Sequence, residues 1–454
     1  MIHLVSSEAL AALVCLLFIA AAAAAHLLRW SWWCGMTELD TLIAIASCCF
    51  ACRGMAAGRR CKWPRDVDFT SRVAIVTGAS SGVGFGVAQE LAQHGWTVIL
   101  AGRDLMRLLG AKRAILTRRP QGRVVVLGAV DLSDLSSVRE FAACVVEQKQ
   151  KFPVALLVNA AGVLRRHLHR CEGTGMEEMI ATNVVGPMLL TQLLLPLLDE
   201  TAERSGVSSR IINVASSCHT FLGVWQRCTP IDMLTALHPA PTAGGDEDGS
   251  NNNKDDKNNS GSGNSKDATQ EGHPQPAVKD FTFADFVGYY GLSKLCVVWW
   301  TTVLARRLSL RFFHTGNCHQ LRVFVACCHP GVITTHLYRD LLPWPVLDHI
   351  VYYPSLLIGK TWTEGAQAVL KACVEPDNMV HGGYYLCSGE YGPSSGVNCL
   401  SKYAMNMEMA LQFCAWAEVQ IEQQKNLPKQ QKAVDAAATA HPKRIMTVKI
   451  ARQS

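Results

Sequence analysis

From Arg72 onward the chain alternates short β-branched runs with stretches of helical length, and this rhythm restricts the fold more than any other feature. The runs are VAIVT (73–77), TVILA (97–101), RVVVLGAV (123–130), VALLVNA (154–160), RIINVAS (210–216) and LRVFVACCHP (321–330). Apolar runs spaced by helices predict strands buried on both faces, hence a parallel sheet with helices packed on each side. With right-handed crossovers the expected class is α/β, a doubly wound parallel sheet that takes ligands at the carboxyl ends of its strands.

One segment breaks the rhythm. Residues 240–280 are dense in Gly, Asn, Asp, Ser and Lys and poor in large apolar side chains, so they cannot offset the entropy of ordering and read as a disordered surface insert. The expected organisation is a membrane anchor with a basic linker at 1–65, an α/β domain at 66–400 interrupted by the insert, and a C-terminal helix with a basic tail at 401–454.

The anchor rests on ALAALVCLLFIAAAAAAHLL, residues 9–28, long enough as a helix to span a hydrocarbon core. A cleavable signal peptide is the rival, but the preceding residues carry Glu8 and no Lys or Arg, and the apolar stretch is long for one. RWSWW follows as an interfacial aromatic belt. Arg53, Arg59, Arg60, Lys62 and Arg65 lie beyond it, which predicts a cytosol-facing body on a single-pass anchor, with the endoplasmic reticulum as the expected membrane. Net charge is only +6 with scattered basic residues, so nucleic acid is not an expected partner. The 18 cysteines show no framework spacing and no zinc pattern, and read as buried free thiols; no metal is expected.

Residues 73–95, VAIVTGASSGVGFGVAQELAQHG, run strand, glycine-rich turn, helix, with Gly78, Gly82 and Gly84 at the turn. Glycines let backbone N–H groups approach a pyrophosphate, and the helix start adds positive potential, so this is the phosphate turn of a Rossmann-type dinucleotide site. The next strand ends in Gly102 and Arg103 with Asp104 beyond. An arginine there accommodates a ribose 2′-phosphate, which predicts NADP(H); the alternative is Asp104 taking a 2′-hydroxyl.

DFVGYYGLSKLCVVWW, residues 285–300, sets a tyrosine one helical turn before a lysine. A phenol with an ordinary pKa of about 10 is a poor proton shuttle near neutrality, and an ammonium on the same helix face favours its ionised form. Tyr290 has Lys294 at that spacing, whereas Tyr289 would face Ser293. Alone, such a pair is usually a core tyrosine and a solvated lysine. Here it comes with Ser216 and Ser217 at one strand end, Asn159, Ala161 and Gly162 at another, and Asn183 at a predicted helix start.

TGASSGVG, NAAG, Asn183, Ser217, Tyr290-x-x-x-Lys294 and HPG (329–331) together resemble the short-chain dehydrogenase/reductase family, over residues 70 to 400 apart from the insert. HPGVITTHL, KTWTEGAQAVL (360–370) and HGGYYLCSGEYGPSS (381–395) are similar to its retinol dehydrogenase and WW-domain-oxidoreductase-like branch. The resemblance implies Tyr290 as general acid/base, with Lys294 lowering its pKa and binding the nicotinamide ribose. It implies Ser217, the second of the two serines, as the group orienting a substrate carbonyl, and Asn183 as holder of a relay water. The dinucleotide would lie on Gly78, Ser80, Ser81, Gly82, Val83 and Gly84, with Arg103, Asp131, Leu132, Asn159, Ala161 and Gly162 beyond. Pro330, Gly331, Val332 and Thr335 would close the nicotinamide end.

Residues 339–359 are mostly apolar and fall where this family builds its substrate lid. With an anchor they suggest a lipophilic alcohol and its aldehyde or ketone, of retinoid, steroid, prenyl or fatty-acyl type; core filling under a loop explains them as well. A homodimer is the expected assembly. The rival functions are a membrane-tethered, nucleotide-binding scaffold without turnover and a reductase of a large planar substrate.

Overall fold

The computed structural model describes residues 60–165, 167–222, 229–238, 283–314, 321–333, 359–375, 379–386 and 400–424, together with Ser47 and Gly58. The expected anchor at 9–28, the insert at 240–280, the apolar stretch through 358, Thr335 and the tail from 425 lie outside the described residues.

Seven strands form one parallel sheet in the order β3-β2-β1-β4-β5-β6-β7. They are β1 (Val73–Thr77), β2 (Thr97–Ala101), β3 (Val124–Val125), β4 (Val154–Asn159), β5 (Ser209–Val214), β6 (Val323–Cys328) and β7 (Tyr384–Tyr385). The six expected strands are present. The run at 123–130 pairs over only two residues, because it lies at the sheet edge with one neighbour and Gly128 interrupts it. β7 was not foreseen, being too short to show a pattern. Strand order reverses between β1 and β4, so the chain leaves these two strands toward opposite faces and a crevice opens between their carboxyl ends.

One face of the sheet is covered by α1 (Gly82–Gln93), α2 (Leu105–Leu116) and α7 (Trp362–Val374), whose apolar side chains share a core with Ala74, Val76, Leu100 and Val158. The opposite face holds α3 (Leu135–Glu147), α4 (Glu178–Ser205), α5 (Pro230–Leu237), α6 (Phe283–His314) and α8 (Met407–Gln423). Among the described residues α4 is the one helix long and apolar enough to cross a membrane. It is largely buried against β4, β5 and α3, as a core helix of a doubly wound fold should be. The C-terminal α8 belongs to this same core: Phe413 is fully buried beside Trp299, whose indole N–H donates to the Tyr403 carbonyl at 2.7 Å. Burying such side chains contributes roughly 1.5–3 kcal/mol each.

A chain of side-chain hydrogen bonds links the layers, although Asn159 Oδ1 is buried without a hydrogen-bond partner among the described residues. Asn159 donates to Asn213 Oδ1 at 2.9 Å and to Thr191 Oγ1 at 3.2 Å, and Asn213 donates to Thr301 Oγ1 at 2.9 Å. This chain ties β4, β5, α4 and α6 together where an unpaired amide would be costly. All nine described cysteines are free, and seven are buried.

Candidate active site

A cleft of about 1070 Å³ lies over the carboxyl ends of the strands, where the order reverses. Its floor is the turn from β1 into α1. Gly78 has φ +66°, and a Cβ there would meet the Ala161 backbone at 2.8 Å; a Cβ on Gly84 would come within 2.6 Å of the Gly78 carbonyl. Only glycine permits this close packing of turn, helix and β4 exit. Thr77 Oγ1 locks the arrangement by accepting from the amides of Ala160 and Ala161 at 3.0 and 3.1 Å.

The start of α1 differs from its neighbours. Asp104 and Asp134 cap α2 and α3 with their carboxylates, whereas Ser81 makes no side-chain cap on α1 and no acid stands in its first turn. Its positive end therefore faces the cleft without an internal counter-charge, which suits a phosphate. Together with the glycine cradle this fits a dinucleotide pyrophosphate.

Gly78, Ser80, Ser81, Gly82, Val83, Gly84, Arg103, Asp131, Leu132, Ala161, Gly162, Tyr290, Lys294, Pro330 and Gly331 all lie on the cleft wall. Asp104 does not: its carboxylate accepts from the Arg107 amide at 3.0 Å. Two further arginines missed in the sequence, Arg107 and Arg165, join Arg103 on the wall. Arg107 sits one turn after Arg103 and was findable by that spacing. Arg165 grips Glu178 with Nε and Nη2, both at 2.7 Å, and Arg103 lies 3.9 Å from the same carboxylate. Burial alone would raise the Glu178 pKa, but the Arg165 hydrogen bonds and charge hold it below the usual carboxylate range.

Also on the cleft wall, Lys294 is buried, with Nζ donating to the Val214 carbonyl at 3.0 Å and lying 5.7 Å from the Tyr290 ring centre. Burial pushes its pKa down from 10.5 to about 8. Tyr290 is buried on the wall in a small cluster with Leu164 and Met179. Tyr289 is not among the residues on the wall.

Asn183 was expected at a helix start. It occupies instead a π-helical turn, Ala181–Val185, inside α4. The wider turn aims its amide inward: Oδ1 accepts from the Val163 amide at 2.7 Å, and Nδ2 donates to the Val163 carbonyl and to Ser293 Oγ, both at 3.0 Å. A Cβ built on Gly162 would be 3.4 Å from both Asn183 Oδ1 and Lys294 Nζ, so these two groups approach across that glycine.

Three expected positions are not among the residues that line this cleft. The serine on the wall is Ser216, not Ser217. Two buried histidines hold the backbone here, His219 Nδ1 bonding the Ser216 carbonyl at 2.6 Å and His329 Nδ1 accepting from the Ser217 amide at 3.3 Å, while Ser216 Oγ accepts from the Cys218 amide at 3.3 Å. Burial holds the His329 pKa down near 3, so its ring nitrogen stays available as an acceptor. Asn159 is absent from the wall because its side chain is spent on the interlayer network. Val332 is half exposed and also absent; its carbonyl accepts from the Lys360 amide, and Ile333 lines the cleft in its place.

Comparison with known proteins identifies the family. The family profile for short chain dehydrogenases matches residues 72–226. The chain is 36% identical over 345 residues to short-chain dehydrogenase TIC 32 A, chloroplastic, of Brassica napus, covering 76% of this chain and 87% of that one. It is 39% identical over 315 residues to polyprenol dehydrogenase of Mus musculus, covering 69% and 75%. Retinol dehydrogenase 13 of Homo sapiens matches at 35% over 184 residues, 40% of this chain and 52% of that one. A solved structure of an uncharacterised protein from Mycobacterium paratuberculosis shares the fold, with TM-score 0.51 and 23% identity over 80% of this chain and 98% of that one. The chain belongs to the short-chain dehydrogenase/reductase family, in its retinol dehydrogenase-like branch.

Proposed function

We propose that this oxidoreductase uses NADP(H) to interconvert a lipophilic alcohol with its aldehyde or ketone, with Tyr290 as the proton-transferring group. The observation that carries the reading is the placement of Lys294, buried and hydrogen-bonded to Val214 beside the Tyr290 ring, in the same cleft as the uncapped start of α1.

The nicotinamide cofactor supplies or accepts the hydride. The α1 amides and the glycine turn would hold its pyrophosphate, Asp131 and Leu132 its adenine, and Ala161 and Gly162 its central part. Pro330, Gly331 and Ile333 would flank the nicotinamide. Arg103 and Arg107 are the cations available to a 2′-phosphate, and the engagement of Asp104 as a helix cap supports that choice over NAD.

The Tyr290 hydroxyl would give its proton to the substrate oxygen during reduction and take it back during oxidation. Lys294, positive through most of the neutral range, would lower the cost of the phenolate. Ser216 would donate to the substrate oxygen and keep it within reach of Tyr290. Asn183, fixed by three hydrogen bonds, would anchor the route by which Lys294 exchanges protons with solvent.

The names of the mouse and human relatives, a polyprenol and a retinol dehydrogenase, point to isoprenoid alcohols, and the apolar composition of 339–358 supports a lipophilic substrate. We further propose that residues 9–28 anchor the chain in the endoplasmic reticulum, with the domain at 66–400 on the cytosolic side. The test is turnover of NADPH and NADP with a panel of retinoid, prenyl, steroid and fatty aldehydes, ketones and alcohols. Tyr290→Phe is expected to lower kcat by about 10²–10⁴-fold with cofactor binding intact. A variant as active as the parent would refute the assignment.

A further inference from the structure

Helix α2 has one face without a role in the proposed reaction. Leu108, Ala111 and Ile115 are buried in the core, and Arg107, Gly110 and Ala114 look into the cleft. The remaining face carries Leu105, Met106, Leu109 and Leu116, exposed at 36%, 75%, 42% and 45%. Positions 105, 109 and 116 fall at i, i+4 and i+11, so they form one stripe, with Met106 at its margin and Lys112 and Arg113 inside it. A lone exposed leucine needs no explanation, but four large apolar side chains on about three turns of helix do.

Charge narrows the occupant. Between Arg103 and Arg123 there are seven basic residues and one acid, Asp104. That acid is already engaged at the start of the helix. A nucleic acid would use the cations but leave Met106 and Leu109 in water, whereas a lipid interface takes both kinds of group.

Position points the same way. The chain arriving from the amino-terminal segment runs over the same layer of the fold: the Cys61 amide donates to Gln367 of α7 at 2.9 Å, and Trp63 stacks on His94 at 3.6 Å, just past α1. Next to His94, Gln93 donates to the Arg118 carbonyl at 3.4 Å, just beyond the end of α2. The entering chain and the end of α2 therefore flank one turn of α1.

We propose that the exposed stripe of α2 docks on the surface of an anionic phospholipid bilayer. Leu105, Met106, Leu109 and Leu116 enter the acyl boundary, and Lys112, Arg113, Arg118 and Arg119 meet the headgroups. The inference leans on the membrane reading of residues 9–28 only for the side of approach.

The test uses the full chain in vesicles of phosphatidylcholine, with or without phosphatidylserine. An environment-sensitive fluorescent amino acid replaces Leu109, or, as a reference, the half-exposed Val419 of α8 on the opposite layer. Docking is upheld if the label at 109 shifts to the blue and is quenched by brominated acyl chains, more strongly with phosphatidylserine, while the label at 419 stays as in water. The pair Lys112→Glu and Arg113→Glu should then reduce the quenching at 109 several-fold with an unchanged circular dichroism spectrum. It is overturned if 109 reports water as 419 does, or if it shifts without lipid quenching, which would mean that another segment or a second copy covers it. Retention of duplex DNA by this face without lipid quenching also overturns it. Resistance to alkaline extraction, read separately, reports on residues 9–28, so either idea can fail while the other stands.

Discussion

Replacing Lys294 by methionine tests the electrostatics of the cleft without any need for a substrate. In the folded protein burial pushes the ammonium pKa down from 10.5 to about 8. A gap of that size corresponds to about 3 kcal/mol. The unfolded chain takes up the proton below about 10.5 and the folded chain only below about 8, so stability rises with pH across that window and is flat below it. Lys294→Met removes the titration but leaves the Val214 carbonyl without its donor, at a cost of about 1–3 kcal/mol. At pH 7 the two terms nearly cancel, and the variant should match the parent. Near pH 10.5 the parent carries a neutral, hydrogen-bonded amine and should be the more stable. Urea unfolding of the cofactor-free proteins between pH 7 and 10.5, followed by circular dichroism, measures the difference, in which other titrations cancel. A parent-minus-variant difference that does not change with pH would refute the reasoning.

Three other perturbations discriminate between side chains that look equivalent in the sequence. Ser216→Ala should cut kcat by about 10–100-fold, whereas Ser217→Ala, which leaves the amide bond to His329 in place, should leave kcat close to the parent's; steady-state kinetics of both settles which serine acts. Arg103→Asp should turn the preference from NADP toward NAD, measured as the ratio of the two dissociation constants, and an unchanged ratio would remove Arg103 from the site. Glu177 is buried with its pKa raised to about 7 by burial, so its contribution to stability is lost as pH climbs from about 4.5 to 7. Glu177→Gln keeps an acceptor for the Ile180 amide, now at 2.9 Å, and thermal melts should show the variant gaining on the parent as pH rises from 5 to 8.

Much of the site could be read along the chain because its geometry is local. The glycines at 78, 82 and 84 and the Tyr290–Lys294 pair each act within one or two turns of backbone, so spacing alone reveals what they can do. Spacing says least where a side chain's direction depends on distant partners. Ser216 and Ser217 are adjacent and chemically alike, and which of them lines the cleft depends on how folding seats their backbone against His219 and His329, the latter more than a hundred residues away. Asn159 sits in a cofactor-like motif yet is drawn to Asn213 and Thr191 by the need to pair a buried amide. The π-turn at Asn183 has no sequence signature, because it reflects how α4 seats against its neighbours.

The sequence by itself determined the parallel sheet, the glycine-rich turn and the tyrosine–lysine pair, since periodicity, glycine stereochemistry and helical spacing are properties of neighbouring residues. Only the tertiary structure decided which serine faces the cleft, that Asp104 caps α2 while Arg103 and Arg107 line the wall, and how far burial shifts Lys294. Those outcomes depend on desolvation and on hydrogen-bond partners that folding brings from elsewhere in the chain.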